Sequence, residues 1–388
     1  MTSAGPLEGL LVADFSRILA GPYCTMLLAD LGATVVKVES PGGDDTRHWM
    51  PPVAPDGTST YFLAINRNKR SVVLDLADPD DLALAVELTD RADVVVQNFK
   101  PGGLARFGLD ADAVRARNRR VLYASISGFG SAGGAGLPGY DLMVQAISGM
   151  MELTGAPDGP GYRAGVAVFD VMAGLHTAIG ILAALAHRER TGEGQHIETN
   201  LLSSALSGLV NQASAALAGG AEPRRAGNAH PSIFPYEPFP TADGELVVIA
   251  GNDSQFARLC ELLGVPGLAS DARFARNADR TANRGELAPL LAERLRTKPA
   301  DEWFALLTGH GVPCGPINSV GQGIAYAESL GLEPVVGLSR DGGPTLRSVA
   351  SPIRLSATPA THRLPPPGLD ADGDALRRWL REPPSAHS

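Results

Sequence analysis

Asp170 is the only Asp, Glu, Lys or Arg between Ala164 and Ala186, a twenty-three-residue stretch built largely from small and aliphatic side chains. It stands where an apolar run ends and a helix-forming segment begins. A carboxylate there can cap the helix by accepting its first N–H groups. Desolvated, and kept ionised by the helix dipole, it can instead attack an activated acyl carbon. Two basic clusters flank strand-like segments: Arg67, Lys69 and Arg70, and then Lys100 with Arg106. Such clusters form either a solvated surface or a site for a ligand with several phosphates. His230, in Gly227-Asn228-Ala229-His230, is the one histidine in a loop suited to a site.

Other chemistries lack their residues. No Gly-x-Ser-x-Gly elbow is present. Cys24, Cys260 and Cys314 are scattered, with no C-x-x-C pair, so neither a disulfide framework nor a zinc site is expected. A G-x-G-x-x-G occurs at Gly128, Gly130 and Gly133. It runs on into Gly134-Ala135-Gly136-Leu137-Pro138-Gly139, a loop and not a helix N-terminus. The turn Ser16–Pro22 lacks the glycines that let backbone approach a pyrophosphate, so no bound nicotinamide cofactor is expected.

The elements that must position these groups alternate in type. Apolar patterning predicts strands near 10–15, 34–39, 71–76, 93–99 and 120–126. Helices are predicted over 21–31, 79–92 and 110–118. That alternation implies crossover units and a parallel sheet, an α/β domain of Rossmann-like type. A long helix follows Asp170, and another is expected through 202–217. From about Arg225 prolines mark a loop, followed by a strand at 245–250 and helices near 254–263, 282–296 and 301–308. The expected division is 1–200 as the large domain, 201–224 as a linker helix and 225–330 as a smaller α+β domain. Residues 331–388 form a C-terminal segment that returns to the large domain.

The chain has 388 residues, 33 Lys and Arg against 42 Asp and Glu, and a net charge of −9. That balance argues against a nucleic acid or an anionic membrane as partner. The start lacks a basic leader, and a cytoplasmic setting is expected. The stretch 164–186 is expected to be a buried helix, not a bilayer span.

Several stretches in order resemble the class III coenzyme A transferase family, which includes formyl-CoA transferase, carnitine CoA-transferase and the α-methylacyl-CoA racemases. They are Asp14–Pro22, Leu31–Glu39, Asn66–Ser71, Asn98–Gly102, Gly139–Asp141 and Arg190–Gln195. The segments Ala229–Tyr236, Gly251–Phe256 and Gly311–Asn318 look most like succinate–hydroxymethylglutarate (glutarate) CoA-transferases. The resemblance implies that Asp170 is the catalytic aspartate and that Tyr140 lies near the thioester. It implies that Lys100 and Arg106 hold CoA phosphates, and that Arg17, Ile18, Lys69, Asn98 and Phe99 line the nucleotide. Gln97 departs from the family, which usually has glutamate before Asn-Phe. His230 and Ser232 are candidates for a second substrate carboxylate, and 226–232 for a segment closing over the site. The implied fold is an interlocked homodimer. Coenzyme A enters as co-substrate, alongside a small carboxylic acid, with no permanently bound cofactor and no metal.

An enzyme carboxylate suits exchange of CoA between two acids, because an aspartyl anhydride or thioester stays activated whereas a serine ester does not. The alternatives are racemisation, where that branch carries a histidine in place of Tyr140, and a non-catalytic CoA-binding protein. A tyrosine with an ordinary pKa near 10 is a poor base at neutral pH. Backbone N–H groups at the Asp170 helix start, and the 128–139 loop, are the expected oxyanion donors.

Overall fold

The computed structural model describes residues 5–340 and 343–383. Two compact units emerge, one formed by Met1–Met150, Ala164–Ala221 and Leu330–Ser388, the other by Met151–Arg163 and Glu222–Ser329. The boundaries differ from the sequence expectation at two places. Residues 151–163 cluster with the second unit, and the expected linker helix is two helices inside the first.

The first unit holds six parallel strands: β1 (Leu11–Asp14), β2 (Thr34–Glu39), β3 (Lys69–Val73), β4 (Val94–Gln97), β5 (Leu122–Ser127) and β6 (His196–Asn200). Their order is β3-β2-β1-β4-β5-β6. The chain therefore reverses direction across the sheet between β1 and β4, where α/β sheets open a crevice at the strands' carboxyl ends. The helices, in chain order, are α1 (Ala20–Asp30), α2 (Thr60–Ile65), α3 (Pro79–Arg91), α4 (Ala111–Arg117), α5 (Asp141–Ile147), α6 (Met150–Leu153), α7 (Val168–Thr191), α8 (Leu201–Gly208) and α9 (Val210–Leu217). Asp78 and Asp110 cap α3 and α4 through their carboxylates, as such residues do when β-region backbone precedes a helix.

Apolar cores cover both sheet faces. Cys24, Leu28, Ala173 and Ile181 pack with Val12, Val94 and Leu122 on one side. Leu84, Leu88 and Val114 pack with Val36, Val95 and Tyr123 on the other, joined by Leu376 and Leu380 of the C-terminal helix Gly373–Arg381. Gly174 sets the spacing of α7 on α1, because a Cβ there would lie 2.6 Å from the Ala20 carbonyl oxygen. Among the described residues α7 is the one helix long and apolar enough, by length and composition, to cross a membrane. One of its faces is buried through Phe169, Ala173, Thr177 and Ile181.

The C-terminal segment is stitched to this unit by buried polar groups. Asp30 pairs with Arg67 at 2.6 Å, and Asn68 donates to the Thr361 carbonyl and to Asp30. The second unit contains an antiparallel sheet of β7 (Tyr236–Pro240), β8 (Glu245–Ile249) and β9 (Cys314–Pro316). Its core gathers Phe234, Phe256, Leu287 and Trp303.

Candidate active site

The turn after β1 is built on buried charge. Asp14 accepts from Ser16 N, Thr25 Oγ1 and Lys69 Nζ, the last at 3.1 Å. Burial pushes the Asp14 pKa up, but the Lys69 and Lys37 ammonium groups outweigh it and hold the carboxyl below its usual value. Lys37 donates to the Ser16 carbonyl at 2.9 Å and to Asp44 at 2.8 Å, and Asp44 in turn accepts from Ile18 N. These bonds hold Ile18 at φ 70, a left-handed conformation that a β-branched residue avoids unless its surroundings dictate it.

Arg17 and Asn98 exchange two bonds, Arg17 N to Asn98 Oδ1 at 2.9 Å and Asn98 Nδ2 to the Arg17 carbonyl at 2.7 Å. The Arg17 guanidinium lies 5.9 Å from the Phe99 ring centre. Arg17, Ile18, Asn98 and Phe99 are thus assembled at the carboxyl ends of β1 and β4, the crevice that the sheet order leaves open.

Asp170 opens onto the same crevice. With Asn98, Phe99, Lys100, Leu201 and the glycine loop it lines a cavity of about 90 Å³. The loop is closed at its neck by Gly128 and Gly139, for a Cβ on Gly128 would meet the Gly139 Cα at 2.4 Å. An adjoining cavity of about 350 Å³ shares Phe99, Lys100, Ser127 and Gly130.

Asp170 does not cap its helix. It is the third residue of α7, whose cap position is Ala167, with no side-chain acceptor of its own. The cap comes from another element. Asp141, the first residue of α5, accepts through Oδ1 from Phe169 N at 2.8 Å and Asp170 N at 3.1 Å. Gln145 donates to the other Asp141 oxygen and accepts from Ala164 N at 2.8 Å. Burial first, and then the Asp141 charge, push the Asp170 carboxyl up to about 7. The N–H groups of Phe169 and Asp170 are consequently spent on Asp141, and the oxyanion donors expected from the helix start are not available there. Of the two expected sources the glycine loop remains.

The other predicted residues divide. Lys100 is exposed at the cavity rim, and Arg106 is exposed with its guanidinium 4.5 Å from the Phe107 ring centre. Tyr140 is 61% exposed, immediately before Asp141. Lys69 corrects the expectation of a nucleotide contact. It is buried, and Asp14, the Pro22 carbonyl and Asn66 Oδ1 take its three donors. Burial lowers its pKa to about 8 despite Asp14. Arg67 is likewise buried on Asp30, so of that cluster only Arg70 faces solvent.

His230 and Ser232 belong to the second unit. There His230 Nδ1 accepts from Ser232 N at 3.0 Å, and its ring lies 5.0 Å from that of Tyr236. Neither Cys24 nor Cys314 is poised as a nucleophile: burial raises both thiols, Cys314 to about 11. Among the described residues no group of three or more His, Cys, Asp or Glu could hold a metal ion.

Three residues around Asp170 were not singled out from sequence. Asp141 and Gln145 are two of them. The third is Tyr61 of α2, whose phenol is pushed up to about 12 by burial and then by the charges of Asp170, Asp141 and Asp44. Spacing could have paired Asp141 with Gln145, four apart on a helix, but nothing local ties either to a residue about thirty positions away.

Residues 7–373 match the family model described as CoA-transferase family III. The chain belongs to CoA-transferase family III. It is 45% identical over 94% of its length, and 93% of the relative's, to a succinate–glutarate CoA-transferase of Agrobacterium fabrum. It is 41% identical over 98% of its length, and 87% of the relative's, to the succinyl-CoA:glutarate CoA-transferase of Mus musculus. Among solved structures, a CAIB/BAIF family protein from Brucella suis is 43% identical with a TM-score of 0.87, covering 97% of this chain and 100% of that one. A family III CoA-transferase takes CoA thioesters as substrates.

Proposed function

We propose that this transferase moves CoA between a dicarboxylyl-CoA of the succinyl type and a free dicarboxylic acid such as glutarate, with Asp170 as the nucleophile. The observation that carries the reading is the shared cavity: Asp170 on α7, Asn98, Phe99 and Lys100 after β4, and the glycine loop after β5. The activities for which the relatives are named supply the class of acid.

The Asp170 carboxylate attacks the donor's carbonyl carbon, forming a mixed anhydride and expelling CoA thiolate. The thiolate attacks the aspartyl carbonyl, giving an aspartyl-CoA thioester and freeing the donor acid with one of Asp170's oxygens. The acceptor carboxylate then attacks that thioester, regenerating an anhydride and thiolate. Attack of the thiolate on the acceptor's carbonyl completes the exchange and returns a carboxylate to Asp170. Each step trades one activated acyl group for another, so none is strongly uphill.

The 128–139 loop faces the developing oxyanions. Lys100 at the cavity rim and the exposed Arg106 hold CoA phosphates, and Tyr140 lies by the thioester. Binding energy from those remote contacts holds the sulfur in place. A second copy of the chain completes the molecule. Support comes from the exposed apolar side chains Leu175, Ile179 and Leu182 on α7, Leu206 on α8 and Val210 on α9, since exposed apolar groups mark interaction surfaces when they gather.

Asp170→Ala is expected to abolish transfer from succinyl-CoA to glutarate, a loss of roughly 10⁴-fold or more, as removal of a nucleophile does. CoA binding, measured by calorimetry, is expected to persist. Transfer at the unsubstituted rate overturns the assignment.

A further inference from the structure

We infer that Asp141 is the positioning residue for the Asp170 nucleophile: it caps helix α7 from a neighbouring helix and, by that same contact, holds a second negative charge beside the attacking carboxylate. The inference rests on Asp170 being the nucleophile. Its geometric basis is the pair of bonds from Phe169 N and Asp170 N into one oxygen of Asp141. An ordinary N-cap lies on the helix it caps and could stand at Ala167. Here the acceptor is twenty-nine residues away, is only 8% exposed, and is itself held by Gln145, which is 1% exposed. A neutral Ser or Asn at the cap position would satisfy the N–H groups equally well. A buried carboxylate from another element also costs desolvation and places like charge against like charge.

That cost has a chemical return. Acylation of Asp170, as anhydride or thioester, removes its negative charge, so repulsion from Asp141 is relieved whenever the acyl-enzyme forms. The free carboxylate is also made more basic, consistent with the upward push of its pKa to about 7, and a more basic carboxylate is a stronger nucleophile. The charged and titratable groups facing Asp170 are few. Asp141 faces it from α5 and the Tyr61 phenol from α2, while Lys100 stands at the rim of the same cavity. The Tyr61 phenol is itself pushed up to about 12 and so is neutral near pH 7, which leaves Asp141, after burial, as the charge that raises Asp170's basicity.

Asp141→Asn separates the two roles, because the amide oxygen still accepts both N–H groups while the charge is gone; only the bond from Gln145 Nε2 to the other oxygen is lost with it. The rate of covalent adduct formation at subsaturating succinyl-CoA is measured from pH 4.5 to 9, with Asp170→Ala as control. The acid limb is expected near pH 7 in the unsubstituted enzyme and lower by about one pH unit in Asp141→Asn. An acid limb that stays put in a folded, adduct-forming Asp141→Asn overturns the inference. Adduct in Asp170→Ala overturns instead the nucleophile assignment on which it rests.

Should Asp141→Asn fail to fold, carboxyl-carbon NMR of [4-¹³C]aspartate-labelled enzyme decides. Two coupled carboxylates each report the other's titration. A resonance other than that of Asp170 should therefore show an inflection near pH 7 that vanishes in Asp170→Asn. If no such inflection exists, the second charge is not there.

Discussion

As the proposed nucleophile, Asp170 combines two demands that pull against each other. A nucleophilic carboxylate must be desolvated enough to be reactive, yet must ionise near neutral pH. Burial and Asp141 raise its pKa to about 7, and among the described residues no cation pairs with it in compensation. The sign of the stability consequence follows from linkage. A carboxyl whose pKa is higher folded than unfolded costs nothing below about pH 4, where it is protonated in both states. Its cost grows as pH rises from about 4 to 7 and is constant above that. The full difference is at most roughly 4 kcal/mol. Asp170→Asn is therefore expected to unfold at a higher temperature than the unsubstituted protein at pH 8, with the gap closing towards pH 4. Calorimetric scans at the two pH values check this, and equal melting temperatures at pH 8 contradict it. Lys69 shows the opposite fate for a charge: its three donors are spent on buried acceptors, and it supports the turn bearing Arg17 and Ile18 without reaching the crevice.

At the scale of elements, the site depends on how α7 sits on α1. Gly174 allows that approach, and α7 carries Asp170 one turn before it. Gly174→Val is expected to destabilise the protein by about 1–3 kcal/mol, as overpacking does. Because α7 must shift to accommodate the side chain, turnover should fall as well. Chemical denaturation together with steady-state rates tests it, and unaltered stability would contradict this account of the packing.

The strands β1, β2, β4 and β5 and the helices α1, α3 and α4 were legible in sequence because each repeats its period cleanly between turn or cap residues. β6 was not. His196-Ile197-Glu198-Thr199-Asn200 is an edge strand with one aliphatic residue, so it shows no apolar run. The expected helix over 202–217 is broken where Leu209 gives way to Val210 at φ 40, just after Gly208 ends α8, a glycine that the apolar periodicity running past it had masked.

Across the whole molecule, the site is assembled from segments far apart in sequence. The α/β topology, not any local motif, brings 16–18, 98–100, 128–141 and 170 to one crevice. Asp170 could be singled out from sequence because a lone carboxylate in an apolar stretch is conspicuous in one dimension. Asp141 could not, because its meaning is a contact across twenty-nine residues. The basic cluster at 67–70 misled for the same reason. Arg67 and Lys69 look like surface cations until the fold supplies Asp30 and Asp14 beneath them. The Arg67–Asp30 pair also holds the C-terminal segment, because Arg67 donates further to Ser348 Oγ and to the Val349 carbonyl.

If Asp170 is the nucleophile, each exchange sends one of its oxygens away in the donor acid and replaces it with one from the acceptor, and isotopic labelling of the acceptor follows that oxygen. Glutarate labelled with ¹⁸O in its carboxyl groups is turned over with succinyl-CoA, and the peptide containing Asp170 is weighed. The four steps above require one heavy oxygen in the Asp170 carboxylate after a single turnover, and both oxygens exchanged after many. An Asp170 peptide of unchanged mass, with labelled glutaryl-CoA accumulating, contradicts the account.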